Sequence, residues 1–247
     1  MMDDIHAFCE ENNIKYFISY GTLLGAIRHK GYIPWDDDID ICMPRPDYNR
    51  FIQLYNKRNS NYQMVAMETN DKYMLPFGKV EDTRTMMTET MYKQDDFGIY
   101  IDVFPLDGCD EKGSQIKKTL ILTKMLNTKK AIVDNQRSFL NNLVILLGKM
   151  LLIFTSVKSI LHRFDSICYE VSYDSAEYIA TVVAAYGTFE AMRKELLEQT
   201  NLAEFEGRMY RIPKNYDIYL TQIYGNYMQL PPVEERVSHH TFKAWWK

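Results

Sequence analysis

Apolar and polar residues run along this chain in two periods, and both predict structure. Around 39–43, Ile39, Ile41 and Met43 alternate with Asp40 and Cys42, and Asp38 continues the polar set upstream. A period of two predicts a strand with Asp38, Asp40 and Cys42 on one face and the aliphatic residues on the other. The same alternation returns at 99–104, where Ile99, Ile101 and Val103 oppose Tyr100, Asp102 and Phe104, with Pro105 and Gly108 closing the strand. A short apolar strand is predicted at 16–20, ending at Gly21-Thr22, with a helix over 23–29. Further strands are expected at 73–80 and 85–92, split by the polar Glu81-Asp82-Thr83-Arg84, with a turn at 95–98.

Helical spacing supplies the rest. Residues 3–12 read as a helix. Pro44-Arg45-Pro46 stops the acidic strand, and Tyr48, Phe51, Ile52 and Tyr55 then place a helix over 47–57. Residues 112–135 and 158–173 are helix-like, and 143–154 is a hydrophobic stretch between them. Beyond these, the pattern predicts a strand at 177–186, a helix at 190–199, a strand at 203–210 stopped by Pro213, and a helix at 215–224 capped by Gly225. An extended tail follows Pro231-Pro232.

Composition narrows the class. A chain of 247 residues can bury a full core, and 46% hydrophobic with 25% charged residues is ordinary for a globular protein. A net charge of −4 leaves no basic footprint, so nucleic acid is excluded as a partner. Cys9, Cys42, Cys109 and Cys168 form no close pair and no CxxC, which predicts reduced thiols in a cytoplasmic setting and no zinc site. The acidic start Met1-Met2-Asp3-Asp4 predicts no secretory leader. The stretch LVILLGKMLLIF is twelve residues with Lys149 inside, too short to span a bilayer. Core packing is its expected use, with a membrane-surface or partner contact as the alternative.

The candidate chemistry sits at the acidic strand. Asp36, Asp37, Asp38, Asp40 and Asp47 are five Asp in twelve residues. Carboxylates one strand step apart repel, and a hard divalent cation, Mg2+ or Mn2+, relieves them. Gly21-Thr22, between a strand and a helix start, has the form of an anion site for phosphate oxygens. A solvated loop is the ordinary reading of an acidic run. A calcium loop is disfavoured, because its sixth and twelfth positions would be Ile41 and Asp47 instead of Gly and Glu. Taken alone, Asp102 reads equally as a satisfied structural carboxylate, Lys79 as a surface residue and Arg28 as a solvated one.

The longer strings are more specific. GTLLGAIRHKGYIPWDDDIDI resembles the signature of the LicD family, bacterial phosphocholine transferases related to fukutin-type phospho-polyol transferases. PRPDYNRF, FGKVEDTRT, IYIDVFPLDG, YDIYLTQIYGNYMQLPP and a terminal histidine pair extend the resemblance over most of the chain. It implies an α+β fold, a nucleotidyltransferase-like mixed sheet with an added helical layer. It also implies a single domain 1–247, with a core at 1–110, a helical insertion at 111–175 and a completing segment at 176–247. Asp102 then joins Asp38 and Asp40 as a catalytic triad holding two Mg2+ or Mn2+ ions. Gly21, Thr22, Arg28, Lys79 and Arg84 become phosphate or nucleotide contacts, Arg236 and His240 substrate contacts, and Trp35 part of a cation–π cage. The implied donor is CDP-choline, with CMP leaving. The implied acceptor is a hydroxyl of a teichoic acid, lipopolysaccharide or capsule precursor, lipid-linked and met at the inner face of the membrane. Two rivals stand beside this reading: a true nucleotidyltransferase releasing pyrophosphate from an NTP, and a non-catalytic metal- or glycan-binding module.

Overall fold

The computed structural model describes residues 1–58, 60–89, 97–133, 137–238 and 242–247. Helix α1 (Met2–Glu11) buries Ile5, Phe8 and Cys9 along one face and delivers the chain to strand β1 (Phe17–Ile18). Helix α2 (Tyr20–His29), strand β2 (Asp40–Pro44) and helix α3 (Arg45–Tyr55) follow. Next come β3 (Tyr62–Val65), β4 (Gly78–Asp82), β5 (Thr85–Glu89) and the long β6 (Tyr100–Cys109). Three helices make the middle of the chain: α4 (Ser114–Lys130), α5 (Phe139–Leu151) and α6 (Val157–Cys168). The last third holds β7 (Tyr178–Ala180), β8 (Met192–Arg193), β9 (Thr200–Phe205), β10 (Arg208–Pro213), α7 (Tyr216–Tyr224) and β11 (Phe242–Trp246).

The architecture is α+β around a mixed sheet of order β1-β2-β6-β4-β3, with β7 and then β8 continuing from the far half of β6. Among the described residues, β2 and β6 pair in parallel, while β1 pairs antiparallel with β2, and β4 and β7 antiparallel with β6. The central strand is therefore β6, and the sequence pattern holds there: Ile101 and Val103 are buried under one face, while Asp102 looks out on the other. One apolar core joins α1, α2 and α3 to the sheet. A second, built from Ile116, Leu122, Leu126, Ile160 and Phe164 with Val182 and Val183, sits between α4, α6 and the end of the sheet.

Several boundaries differ from the sequence expectation, each for a tertiary reason. Helix α2 begins at Tyr20, directly after Ser19, whose N–H makes a last ladder bond to the Asp40 carbonyl at 2.9 Å, so Gly21 and Thr22 fall in its first turn. Strand β6 passes through Pro105 and Gly108. Pro105 falls between the stretch paired to β4 (100–103) and that paired to β7 (107–109), so its missing N–H breaks no antiparallel bond. Residues 73–77 are not strand; β4 starts at Gly78 and runs into the segment expected to be a turn, while β3 was not foreseen. The expected helix at 190–199 is absent, since Met192 pairs with Ile179 as strand. Residues 200–213 form a hairpin, β9–β10, turning at Glu206-Gly207 with φ of 51° and 71°; positive φ at both positions is the two-residue turn that matches strand twist. The tail does not stay isolated: β11 pairs with β5. The 95–98 turn lies partly outside the described residues.

The largest departure is α5. The hydrophobic stretch at 143–154 is not core. No residue of α5 is buried, because α4 and α6 close the second apolar cluster between themselves and leave α5 outside it. Among the described residues, no helix is long and apolar enough to cross a membrane.

Candidate active site

The parallel pairing of β2 with β6 sets Asp40 directly beside Asp102, and the antiparallel pairing of β6 with β4 sets Lys79 on the other side of Asp102. Residues in register on adjacent strands share a face. Three strands thus present Asp40, Asp102 and Lys79 side by side. The Asp102 N–H bonds the Ile39 carbonyl at 2.9 Å, carrying the pairing upstream of β2 toward Asp38. Lys79 is buried and its ammonium is ion-paired with Asp102, lying over the Tyr100 ring at 3.4 Å from the centroid. The half-buried Asp40 carboxyl is raised well above the ordinary range, first because the surrounding protein desolvates it and then because Asp38, Asp102 and Asp36 crowd it with like charge, with Lys79 opposing. Carboxylates crowded in this way are a group that a cation would neutralise.

Helix α2 forms the wall beside these carboxylates. Tyr20 opens it at φ 46°, a conformation uncommon for a bulky residue and characteristic of functional sites. A Cβ on Gly21 would stand 2.6 Å from Asp36 Oδ2, so glycine at that position lets the acidic segment lie against the helix start. Thr22 is buried behind the carboxylates; its hydroxyl accepts from the Asp40 N–H at 2.8 Å and ties β2 to α2.

Two clefts adjoin here. One, of about 380 Å³, is lined by Gly21, Trp35, Asp36, Asp38, Asp40, Tyr186 and Tyr224. Its neighbour, of about 460 Å³, shares Trp35 and Tyr224 and adds Arg28 and Tyr227. Each lies within the roughly 300–1,000 Å³ typical of small-molecule sites. Arg28 donates to the Tyr227 carbonyl at 2.9 Å. Burial, and then the like charge of Arg236, depress its guanidinium below the ordinary value. Arg236 donates to the Pro231 carbonyl at 2.9 Å and lies 5.5 Å from the Trp35 ring centroid. Among the described residues no salt bridge joins either guanidinium to a carboxylate, and the two lie near enough for their like charges to act on each other. Ser238 bonds Asp37 at 3.1 Å, which brings the tail onto the acidic segment.

The structure therefore gathers Asp38, Asp40, Asp102, Lys79, Gly21 and Trp35 at one place, with Arg28 and Arg236 next to it. It does not bring Arg84 there. Arg84 lies in the β4–β5 turn, bidentate to Asp82 at 2.9 and 2.6 Å, and stands 5.7 and 5.5 Å from the Tyr62 and Trp246 ring centroids. Residues 239–241 lie outside the described residues, His240 among them. Sequence reading missed Tyr186, Tyr224 and Glu190. Glu190 is 4% exposed, accepts from the Tyr20 hydroxyl at 2.8 Å and from the Tyr186 N–H at 2.5 Å, and is pushed up to about 7 by burial. Nothing in the local string around it marks it; only the fold carries it to Tyr20, 170 residues away.

The donor set suits a hard cation. Asp38 and Asp40 offer carboxylate oxygens on a crowded acidic face. Among the described residues no three His, Cys, Asp or Glu groups stand close enough to enclose an ion alone. One or two carboxylates with the remaining ligands from substrate phosphate is how proteins commonly hold Mg2+.

Comparison with known proteins matches the sequence of this chain to a family. The family model described as the LicD/FKTN/FKRP nucleotidyltransferase domain matches residues 13–143, which include Asp38, Asp40, Lys79 and Asp102. The chain is 32% identical to the lipopolysaccharide cholinephosphotransferase LicD of Haemophilus influenzae over 99% of its own length and 94% of that protein's. An uncharacterised protein of Rickettsia typhi is 52% identical over a shorter segment, 22% of this chain and 18% of that protein. With its three-strand carboxylate site inside the matched region and a relative aligned nearly end to end, this chain belongs to the LicD family.

Proposed function

We propose that this protein transfers phosphocholine from CDP-choline to a hydroxyl of lipopolysaccharide or a similar lipid-linked glycan, releasing CMP. The observation that carries the reading is the crowding of Asp38 and Asp102 on Asp40 at one cleft, with Arg28 in the adjoining cleft and Arg236 near it. The Haemophilus relative is named for cholinephosphate transfer to lipopolysaccharide, which supports the choice of both substrates. In the reaction, a glycan hydroxyl oxygen bonds the phosphorus that bears choline. The bond from that phosphorus to the bridging oxygen breaks, CMP leaves with the electron pair, and the hydroxyl proton is lost.

Each residue has a distinct task. Asp38 and Asp40 would hold Mg2+ or Mn2+, which would supply neutralisation of phosphate charge there. Asp102, ion-paired with Lys79, completes the acidic face and in this reading accepts the hydroxyl proton. Arg28 and Arg236 receive the anionic CMP portion. Tyr186 and Tyr224 offer ring faces to the trimethylammonium group, with Asp36 as its counter-charge. Trp35 already carries Arg236 on its ring and bridges the two subsites. Lipid-linked acceptors place the work at the inner face of a membrane.

The test is Mg2+-dependent CMP release from CDP-choline with lipopolysaccharide as acceptor, followed by detection of choline phosphate on the glycan. Asp38→Ala that folds normally and keeps full turnover overturns the assignment. Pyrophosphate released from an NTP, in place of CMP, identifies a nucleotidyltransferase instead.

A further inference from the structure

Helix α5 is apolar, formed and uncovered. Ser138 caps it, accepting from the Asn141 N–H at 3.2 Å, and Lys129 donates to the Leu152 carbonyl at 2.9 Å beyond its other end. Its inner side meets α4 at Gly148, where a Cβ would stand 2.7 Å from Thr128 Cγ2. Its outer side carries Leu140, Val144, Leu147 and Leu151 at spacings of four, three and four, one continuous stripe continued by Phe154. Val144 is 68% exposed, Leu151 82% and Phe154 101%. A contiguous apolar face of this kind marks an interaction surface.

The charge around it says what covers it. Residues 112–163 contain ten Lys or Arg and a single acidic residue, Asp134, whereas the whole chain has 29 basic and 33 acidic residues. Of the ten, Lys118 and Lys158 are ion-paired with Glu170 and Asp71 and Lys130 is buried, while Lys117 and Lys124 of α4 are exposed. On α4, Lys117, Ile121 and Lys124 share the helix face of Thr128, the residue that touches α5, so an exposed basic stripe with an exposed isoleucine runs beside the apolar one. Lys149 lies within α5 itself. An apolar face flanked by lysines fits an anionic lipid surface, where the apolar residues enter the acyl boundary and the lysines meet phosphate headgroups. A second copy of this chain fits poorly, because a two-fold contact would bring the basic stripes together.

We propose that the α4–α5 face docks on an anionic bilayer, with Val144, Leu147, Leu151 and Phe154 inserted and Lys117 and Lys124 in the headgroup layer. This surface is separate from the carboxylate site and does not depend on the reaction assigned to it.

Flotation of the full chain with vesicles of equal parts phosphatidylglycerol and phosphatidylcholine, against vesicles of phosphatidylcholine alone, tests it. The expected result is binding to the anionic vesicles, weaker binding to the neutral ones, and weakening as salt rises from about 0.1 to 1 M and the Debye length falls from about 10 to 3 Å. Val144→Asp with Leu151→Asp abolishes binding. Lys117→Gln with Lys124→Gln lowers it about tenfold or more, at about fivefold per lysine. All four side chains are exposed or lie on the exposed stripe, so circular dichroism and melting temperature stay unchanged. Wild-type protein that ignores anionic vesicles overturns the proposal, as does binding that both double variants leave intact. A dimer in sedimentation that Val144→Asp with Leu151→Asp converts to monomer, with no vesicle binding, assigns the face to self-association instead.

Discussion

Replacing Glu190 by glutamine is expected to remove a defined portion of the protein's pH-dependent stability. The carboxyl is buried, holds two hydrogen bonds, and titrates at about 7 in place of the ordinary 4.5. In acid both folded and unfolded chains keep its proton. As pH rises the unfolded chain releases the proton first, near its ordinary value, while the folded protein retains it until about 7. Stability contributed by this group is therefore full below about pH 4.5 and is lost as pH climbs through 7. Working the linkage with these two values, the folded state loses about 2.5 kcal/mol from Glu190 between about pH 5 and pH 8. Glutamine keeps the geometry: its oxygen accepts from the Tyr186 N–H and its amide donates to the Tyr20 oxygen. Urea unfolding of wild type and Glu190→Gln at both pH values gives the double difference, in which other titrating groups cancel. In thermal scans the same quantity is a relative gain of roughly 5–10 °C for the variant at the higher pH. Profiles that stay parallel within about 0.5 kcal/mol refute the burial argument, since that is the ordinary error of additivity.

Three further outcomes follow from the geometry. Asp40→Asn, at the most crowded carboxylate, lowers turnover about a hundredfold or more while leaving the melting temperature equal or higher, because the change relieves like-charge repulsion; CMP release and a thermal melt check both halves. Asp107→Asn destabilises the fold by about 3–5 kcal/mol, measured by urea unfolding, since it strands the buried Arg45 guanidinium that Asp107 now binds at 2.5 and 2.9 Å. Arg28→Ala raises KM for the CDP-activated donor about tenfold or more with a smaller change in kcat, as loss of a charged hydrogen bond to phosphate predicts; steady-state kinetics with varied donor decides it.

How much of this was legible beforehand differs from residue to residue. The alternation at 39–43 and 99–104 identified two strands and the faces carrying Asp40 and Asp102, because side-chain direction in a strand is fixed by local backbone geometry. Helices α3 and α7 were found for the same kind of reason, their apolar residues recurring at helical spacing. The expected helix at 190–199 failed where pairing with β7 overrode local propensity. The 143–154 stretch failed because hydrophobicity tells that a segment seeks apolar surroundings, not whether the fold has any left to offer.

The amino-acid sequence by itself determined the acidic strand, its partner strand, the helix that begins beside them and the family to which they belong, since each is written in contiguous residues. Tertiary structure alone decided the rest. Pairing order put Lys79 against Asp102, chain closure carried Glu190 to Tyr20 and Arg236 to Trp35, and the packing of α4 on α6 turned α5 outward. Those contacts join residues far apart in the chain, and no local period encodes which distant surface a side chain will meet.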